Sequence, residues 1–466
     1  MAETSASRLS ILHLGLGAFH RAHQAAYLQA LAGLGDHTWR LVGANIRGDM
    51  KRIEEALIRQ GCRYVLETVT PQGPRAYRTL DVISEVLPFT PDLTAHAAVG
   101  ADPATRIISM TVTEAGYFLT PDLTLMDDAP DLAADLRTGS HATLYGALSL
   151  ILTARMKADA GPVTLLCCDN LRANGARLSK GLMMFLALRG EHALLAWCAQ
   201  NVTTPNGMVD RITPRPPPDL AARVRQAAGG ADACPVMAED FCQWVIEDRF
   251  AAGRPALERV GVQFVGDVAP YEEAKIRILN ATHSAIAWAG TLKGYTFIHE
   301  GAADPAVIAI ARAYIETAIT SGRSPSSIDL AAYATTTLAR FANPHIRDTN
   351  QRVAADGWAK IPGFIAPIFT DCLERGIDPR GVAMLPALFM LFMRRWASGD
   401  LPFDYQDQAL DEDAMRSILA DDDPAGAFCR ESRLWGRLAA DARLEAAIRE
   451  ACICVQAFAM GDLHGT

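Results

Sequence analysis

The segment Tyr271-Glu272-Glu273-Ala274-Lys275-Ile276-Arg277-Ile278-Leu279-Asn280-Ala281-Thr282-His283 concentrates chemistry among apolar neighbours. On a regular helix with Lys275 at zero, Glu272 falls at about 60°, His283 at about 80° and Asn280 at about 140°. Ile276 and Leu279 share that arc, so the polar groups do not form an ordinary solvated face. A lysine placed there is partly desolvated, which disfavours the ammonium and moves it toward the range of a general base. Asn280 can donate to a developing alkoxide, and His283 can orient a substrate hydroxyl. Glu272 stands three residues before Lys275 and can pair with it. Spacing alone leaves open both a catalytic set and a buried polar network.

A second set of residues is suited to a dinucleotide. Gly15-Leu16-Gly17-Ala18-Phe19-His20 follows the apolar run SILHL and opens a helical pattern. Gly15 permits a tight turn, Gly17 lets the backbone approach a pyrophosphate, and the helix start at Ala18 and Phe19 faces the phosphates with free N–H groups. His20 stands where a third small residue is usual. After the second strand come Arg47, Gly48 and Asp49. Asp49 can accept from a ribose hydroxyl, which favours NAD, whereas Arg47 can pair with a 2′-phosphate, which favours NADP. The third strand runs into Thr113, Glu114 and Gly116, and the fourth into Asp169 and Asn170. Loops at these strand ends bind ligands in open α/β sheets, so Asn170 is a candidate to meet Asn280 across a domain cleft. His20 and His23 have a possible metal-ligand spacing, but no acidic or thiol partner accompanies them, so no metal site is expected. No G-x-S-x-G turn supports a serine hydrolase.

The elements that must position these residues are legible in the apolar pattern. Strands are expected at 10–14, 39–46, 106–112 and 163–168, apolar throughout, with one more run at 260–268. Helical periodicity runs from Ala18 to Gly33 and over 144–156. Buried parallel strands with crossover helices read this way. A proline cluster interrupts the chain at 214–218. From Tyr271 onward the pattern is helical, with examples at 272–291, 305–320 and 383–398. The expected fold is α/β: a Rossmann-type dinucleotide-binding domain over 1–268, then a mainly α-helical substrate domain over 269–466.

Composition narrows the function classes. The 466 residues carry 53 acidic and 44 basic side chains, a formal charge of −9. That balance argues against nucleic acid or an anionic membrane as partner. No apolar run resembles a secretory signal or a membrane span. Ten cysteines without a Cys-x-x-Cys pair suit a reducing cytoplasm.

Taken in order, GLGAFHRAH (15–23), TVTEAGYF (111–118), CDN (168–170), PNGMVDRITP (205–214), YEEAKIRILNATH (271–283) and NQRVAADGWAKIP (350–362) resemble the polyol-specific long-chain dehydrogenases. The resemblance runs from about residue 10 to about residue 460. NIRGD, RYVLETVTPQG, AMLPALF and LPFDYQDQAL are most similar to the D-arabinitol 4-dehydrogenase branch, with mannitol 2-dehydrogenases second and hexuronate reductases a further rival. The resemblance implies metal-free, NAD-dependent oxidation of a polyol to a ketose. It implies Lys275 as general base, Asn170 and Asn280 on the alkoxide oxygen, and His283 on the substrate. Asp210, Arg352 and Lys360 would also line the substrate site. Gly15, Gly17, Ala18, Phe19, Arg47, Asp49 and Glu114 would hold the cofactor. Separately from the resemblance, the place of Glu272 on the same arc as Lys275 suggests it as the route of the proton from Lys275 to solvent. Related mannitol dehydrogenases carry an acidic pair after the second strand; here Gly48 replaces its first member. The resemblance is compatible with a monomer.

Overall fold

The computed structural model describes residues 8–120, 122–322 and 328–461. The chain divides into two compact units. One comprises residues 1–69 with 74–269, the other residues 70–73 with 270–466.

Twelve strands occur among the described residues, all in the first unit. They are β1 (Leu9–Leu14), β2 (Trp39–Ala44), β3 (Tyr64–Val69), β4 (Arg75–Leu80), β5 (Ile83–Leu87), β6 (Thr105–Met110), β7 (Val163–Cys167), β8 (Val202–Thr203), β9 (Gly207–Asp210), β10 (Val236–Glu239), β11 (Gln243–Glu247) and β12 (Gln263–Val265). Six of them form one sheet in the order β5-β2-β1-β6-β7-β8, with every pair parallel. Two three-stranded sheets, β10-β3-β4 and β12-β11-β9, complete the unit.

The main sheet is buried on both faces, as its uninterrupted apolar strands require. Alternate residues feed two cores. Ile11, Leu41, Ile107 and Leu166 enter one. Leu12, Leu14, Val42, Ala44, Ile108, Met110, Leu165 and Cys167 enter the other. The order reverses at β1, which has β2 on one side and β6 on the other. Such a reversal opens a crevice at the carboxyl ends of the strands, where ligands bind in this kind of sheet.

Three sequence expectations need correction. The helical run from Ala18 to Gly33 is two helices, Ala18–Ala22 and Gln24–Gly33, broken at His23 (φ −115°, ψ −86°). There the imidazole Nε2 lies 2.9 Å from the Gln243 carbonyl oxygen, and the ring packs against Phe19, Tyr27 and Trp244. The run at 260–268 contains only the short β12, preceded by a 3-10 turn at Leu257–Val260. Gly261 separates them with a φ of 97°, which a continuous strand does not accommodate. The helix expected over 272–291 is interrupted by a wider turn, described below.

The second unit is helical. Its longest elements include Ala281–Leu292, Pro305–Ser321, Leu330–Phe341, Arg380–Ser398 and Ala442–Met460. No helix among the described residues is long and apolar enough to cross a membrane.

Candidate active site

In the first unit, the candidate cofactor residues gather at the carboxyl edge of the parallel sheet. Gly15 follows β1 with a φ of 113°, and a side chain there would collide with the Thr111 carbonyl oxygen at the end of β6. Gly17 faces open space: a Cβ would meet nothing within 4 Å. No side chain caps the helix turn that Gly17 opens, so the N–H groups of Ala18 and Phe19 have no helical partner. A small, open, uncapped turn is what a pyrophosphate needs.

Buried polar groups hold this turn from behind. The His13 imidazole lies 2.8 Å from the Gly15 carbonyl through Nε2 and 2.9 Å from the Ser109 hydroxyl through Nδ1. A carbonyl only accepts, so Nε2 carries the proton. Burial keeps His13 neutral, with its pKa pushed down to about 3. The His20 ring stacks on it at 3.3 Å, which explains the histidine where a small residue is usual. On the other side, the Leu16 N–H donates to Asn45 Oδ1 (2.8 Å), and Asn45 Nδ2 donates to the buried Glu54 (2.6 Å).

Arg47 and Asp49 lie just past β2, both exposed, with Asp49 in the turn Gly48–Met50. Arg47 pairs with exposed Asp131 at 3.2 Å. Glu114 is exposed in the turn Glu114–Tyr117 after β6. Asn170 is exposed just past β7, and Asp210 is buried as the last residue of β9.

Asp169 was not singled out in the sequence, yet it ties two of these loops together. Its carboxylate accepts from the N–H groups of Val112 and Thr113 (both 3.0 Å) and from the Tyr117 hydroxyl (2.6 Å). Thr113 holds a φ of 69°, a costly conformation for a β-branched residue, so the Asp169 bonds help fix a strained loop.

In the second unit, the segment with the candidate lysine is not a regular helix. Ala269–Ala274 is α-helical, Lys275–Asn280 is a π turn, and Ala281–Leu292 is α-helical again. The Ala281 N–H donates to the Ile276 carbonyl, five residues back. The Tyr314 hydroxyl donates to the Arg277 carbonyl within the turn at 2.7 Å. The regular 100° step therefore fails beyond Lys275. In an i→i+5 turn, residues five apart stand about one turn apart, which moves Asn280 toward the Lys275 face. Insertions of this kind cluster at functional sites. Lys275 and Glu272 are both buried, at 7% and 6% exposure. Asn280 is half-buried.

His283 lies on the next turn, its ring stacked on Phe341 at 4.3 Å. Its Nε2 faces Asp348 Oδ2 at 3.5 Å. Burial lowers its pKa to about 3; Asp348 opposes that, while Arg352, Lys360 and Arg340 add to it. The imidazole is thus neutral and can donate through one nitrogen and accept through the other.

Asp348 escaped the sequence reading and is the hub of this cluster. Its side chain is 5% exposed. Arg352 Nε donates to Oδ1 at 2.6 Å, and a second guanidinium nitrogen donates to Oδ2. Burial alone would raise the Asp348 carboxyl; the two-pronged Arg352 contact outweighs it and holds the group below the usual range. The signal was an opposite charge four residues before Arg352.

Lys360 ends the short helix Gly357–Lys360 and is followed by a second π turn, Ile361–Ile365. Its ammonium donates to the Val353 carbonyl (2.5 Å) and lies 5.9 Å from the Trp288 ring centre. Burial lowers its pKa to about 8, against the pull of Asp356 and Asp407. Helix Ala281–Leu292 approaches helix Asn350–Ala354 closely at Gly290, where a Cβ would sit 2.9 Å from Asn350 Nδ2. The structure thus brings His283, Asp348, Arg352 and Lys360 into one cluster.

The family models match in two parts. Residues 9–259 match the mannitol dehydrogenase Rossmann domain, and residues 267–455 the mannitol dehydrogenase C-terminal domain. The chain is 53% identical to D-arabinitol 4-dehydrogenase of Ralstonia nicotianae, covering 98% of this chain and 99% of that protein. It is 50% identical to D-arabinitol 4-dehydrogenase of Klebsiella pneumoniae, covering 94% and 96%. The fold matches Pseudomonas fluorescens mannitol 2-dehydrogenase, solved as a ternary complex with NAD and D-mannitol. The TM-score is 0.85 and the identity 32%, over 98% of this chain and 94% of that one. On the family models and on identity across almost the whole length, this chain belongs to the mannitol dehydrogenase family.

Proposed function

We propose that this protein oxidises D-arabinitol to D-xylulose with NAD as hydride acceptor and without a metal ion. The observation that carries the reading is the near full-length identity of 53% and 50% to two D-arabinitol 4-dehydrogenases. The buried lysine on a π turn supports the chemistry.

The glycine turn fits a dinucleotide, since Gly17 faces open space and its helix start is uncapped. Gly15, Gly17, Ala18 and Phe19 would hold the pyrophosphate, Asp49 would take the adenosine ribose, with Arg47 beside it, and Glu114 would be a further cofactor contact. When bound, nicotinamide supplies the acceptor for the hydride from the carbinol carbon. Lys275 takes the hydroxyl proton as the carbonyl forms. Its burial works against the ammonium and so favours the base form. Asn280 and Asn170 donate to the oxygen as its charge develops. His283, Asp210, Arg352 and Lys360 hold the remaining hydroxyls. Glu272, buried three residues before Lys275, passes the proton toward solvent. Glu272→Gln is expected to slow proton release and shift the pH profile; an unchanged profile removes the relay.

NADH formation at about pH 9, where the proton released by polyol oxidation is drawn off and the forward reaction is favoured, tests the function. D-Arabinitol, D-mannitol, D-sorbitol and L-arabinitol are compared with NAD and NADP, with and without EDTA. The reading expects D-arabinitol and NAD to give the highest kcat/KM, untouched by EDTA. A preference for D-mannitol moves the substrate to the mannitol 2-dehydrogenase branch. Reduction of a hexuronate with no polyol oxidation overturns the reading.

A further inference from the structure

We propose that Asp348 is a positioning and specificity-determining residue that neutralises Arg352 and orients His283, fitting the site to uncharged polyols and against sugar acids. The inference rests on the polyol reading above. A lone arginine in a substrate site is a carboxylate receptor, because its fork matches two carboxylate oxygens. Here the fork is already engaged on one side. Arg352 Nε lies 2.6 Å from Asp348 Oδ1, and a second guanidinium nitrogen meets Oδ2.

The same carboxylate faces His283 Nε2 at 3.5 Å. Nε2 makes no hydrogen bond at that distance, but the nearby negative charge favours a proton on Nε2 over a lone pair there, which leaves Nδ1 as the acceptor. Stacking on Phe341 at 4.3 Å keeps the ring plane fixed. An acceptor on the histidine and the remaining N–H donors on Arg352 form a mixed set suited to hydroxyl groups, which donate and accept. A sugar acid would meet an arginine whose charge is already compensated and an imidazole lone pair that repels it. Lys360 is a further cation of the cluster, its ammonium on the Val353 carbonyl and its charge met by Asp356 and Asp407, so removing Asp348 would leave Arg352 without its buried counter-charge.

The test compares the full-length wild type with Asp348→Asn, Asp348→Glu and Arg352→Gln. The readouts are kcat and KM for D-arabinitol and competitive inhibition by D-arabinonate, the matching aldonate. In Asp348→Asn, inhibition by D-arabinonate should tighten about tenfold while KM for D-arabinitol rises and kcat changes less. Asp348→Glu should restore the wild-type order. Equal weakening toward both ligands, or no change in either, overturns the proposal and leaves Asp348 a structural residue. Arg352→Gln keeps the idea testable if Asp348→Asn does not fold. There D-arabinonate should inhibit less than in wild type, and the His283 titration, followed by NMR, should move up as Asp348 loses its cation. An unmoved titration overturns the proposal. A wild type that turns over no polyol overturns the underlying reading instead, and is recognised before any variant is made.

Discussion

The two units prepare their chemistry by different means. In the first, backbone geometry dominates. Parallel strands end on one edge, Gly15 turns where no side chain fits, and neutral groups such as His13 and Asn45 hold the turn by single hydrogen bonds. In the second, a helix is deformed into a π turn at Lys275, and buried charge fixes the side chains around it. On the proposed reading, the first design would present backbone N–H groups to a phosphate, for which shape is enough. The second would present a base and donors to hydroxyl groups, for which side-chain charge and tautomer must be set.

Breaking the first design calls for a change at the backbone. Gly15→Ala places a methyl group against the Thr111 carbonyl and forces a strained φ. KM for NAD should rise by about tenfold or more, with KM for the polyol less affected, because strain of a few kcal/mol falls on the turn alone. Initial rates at varied NAD check this; a normal KM would mean that the turn does not carry the cofactor.

The second design should break at a distance from the substrate. Tyr314→Phe removes the hydroxyl that donates to the Arg277 carbonyl inside the π turn. A buried acceptor left without its donor costs about 1–3 kcal/mol. Thermal unfolding should register that loss, and kcat should fall several-fold while KM for NAD holds. Unchanged kcat would separate the turn from catalysis.

Acid should expose a feature common to both. The buried imidazoles of His13 and His283 have pKa values lowered from 6.5 to about 3. The unfolded chain therefore binds more protons between those values, so the stability these groups contribute is complete above the unfolded pKa and disappears as pH falls toward the folded one. Melting scans from pH 7 down to pH 4, followed by circular dichroism, should give a shallower loss for His13→Asn than for wild type. A parallel loss in both would remove His13 from the linkage.

How far the sequence reached follows from the same contrast. The β1 turn, the loops after β2, β6 and β7 and the helical second half were legible, because glycine spacing and apolar runs are local signals. The π turn was not. A hydrogen bond from five residues back leaves no periodic mark, and its hold on Tyr314 spans 37 positions. Asp348 carried only the weak local signal of an acid four residues before Arg352; the fold alone sets it against His283 as well. Asp169 was overshadowed by its neighbour Asn170, since a buried acceptor of backbone N–H groups has no sequence signature. His20 broke the glycine pattern for a reason that lies in another element, the ring of His13.

The role of Lys275 is tested most directly by chemical rescue. Lys275→Ala should lower kcat for D-arabinitol by about 10²–10⁴-fold while leaving NAD binding intact. Added methylamine should restore part of the rate, in proportion to its unprotonated fraction. Full activity in Lys275→Ala, or a loss that no amine relieves at any pH, would contradict a lysine base on the π turn.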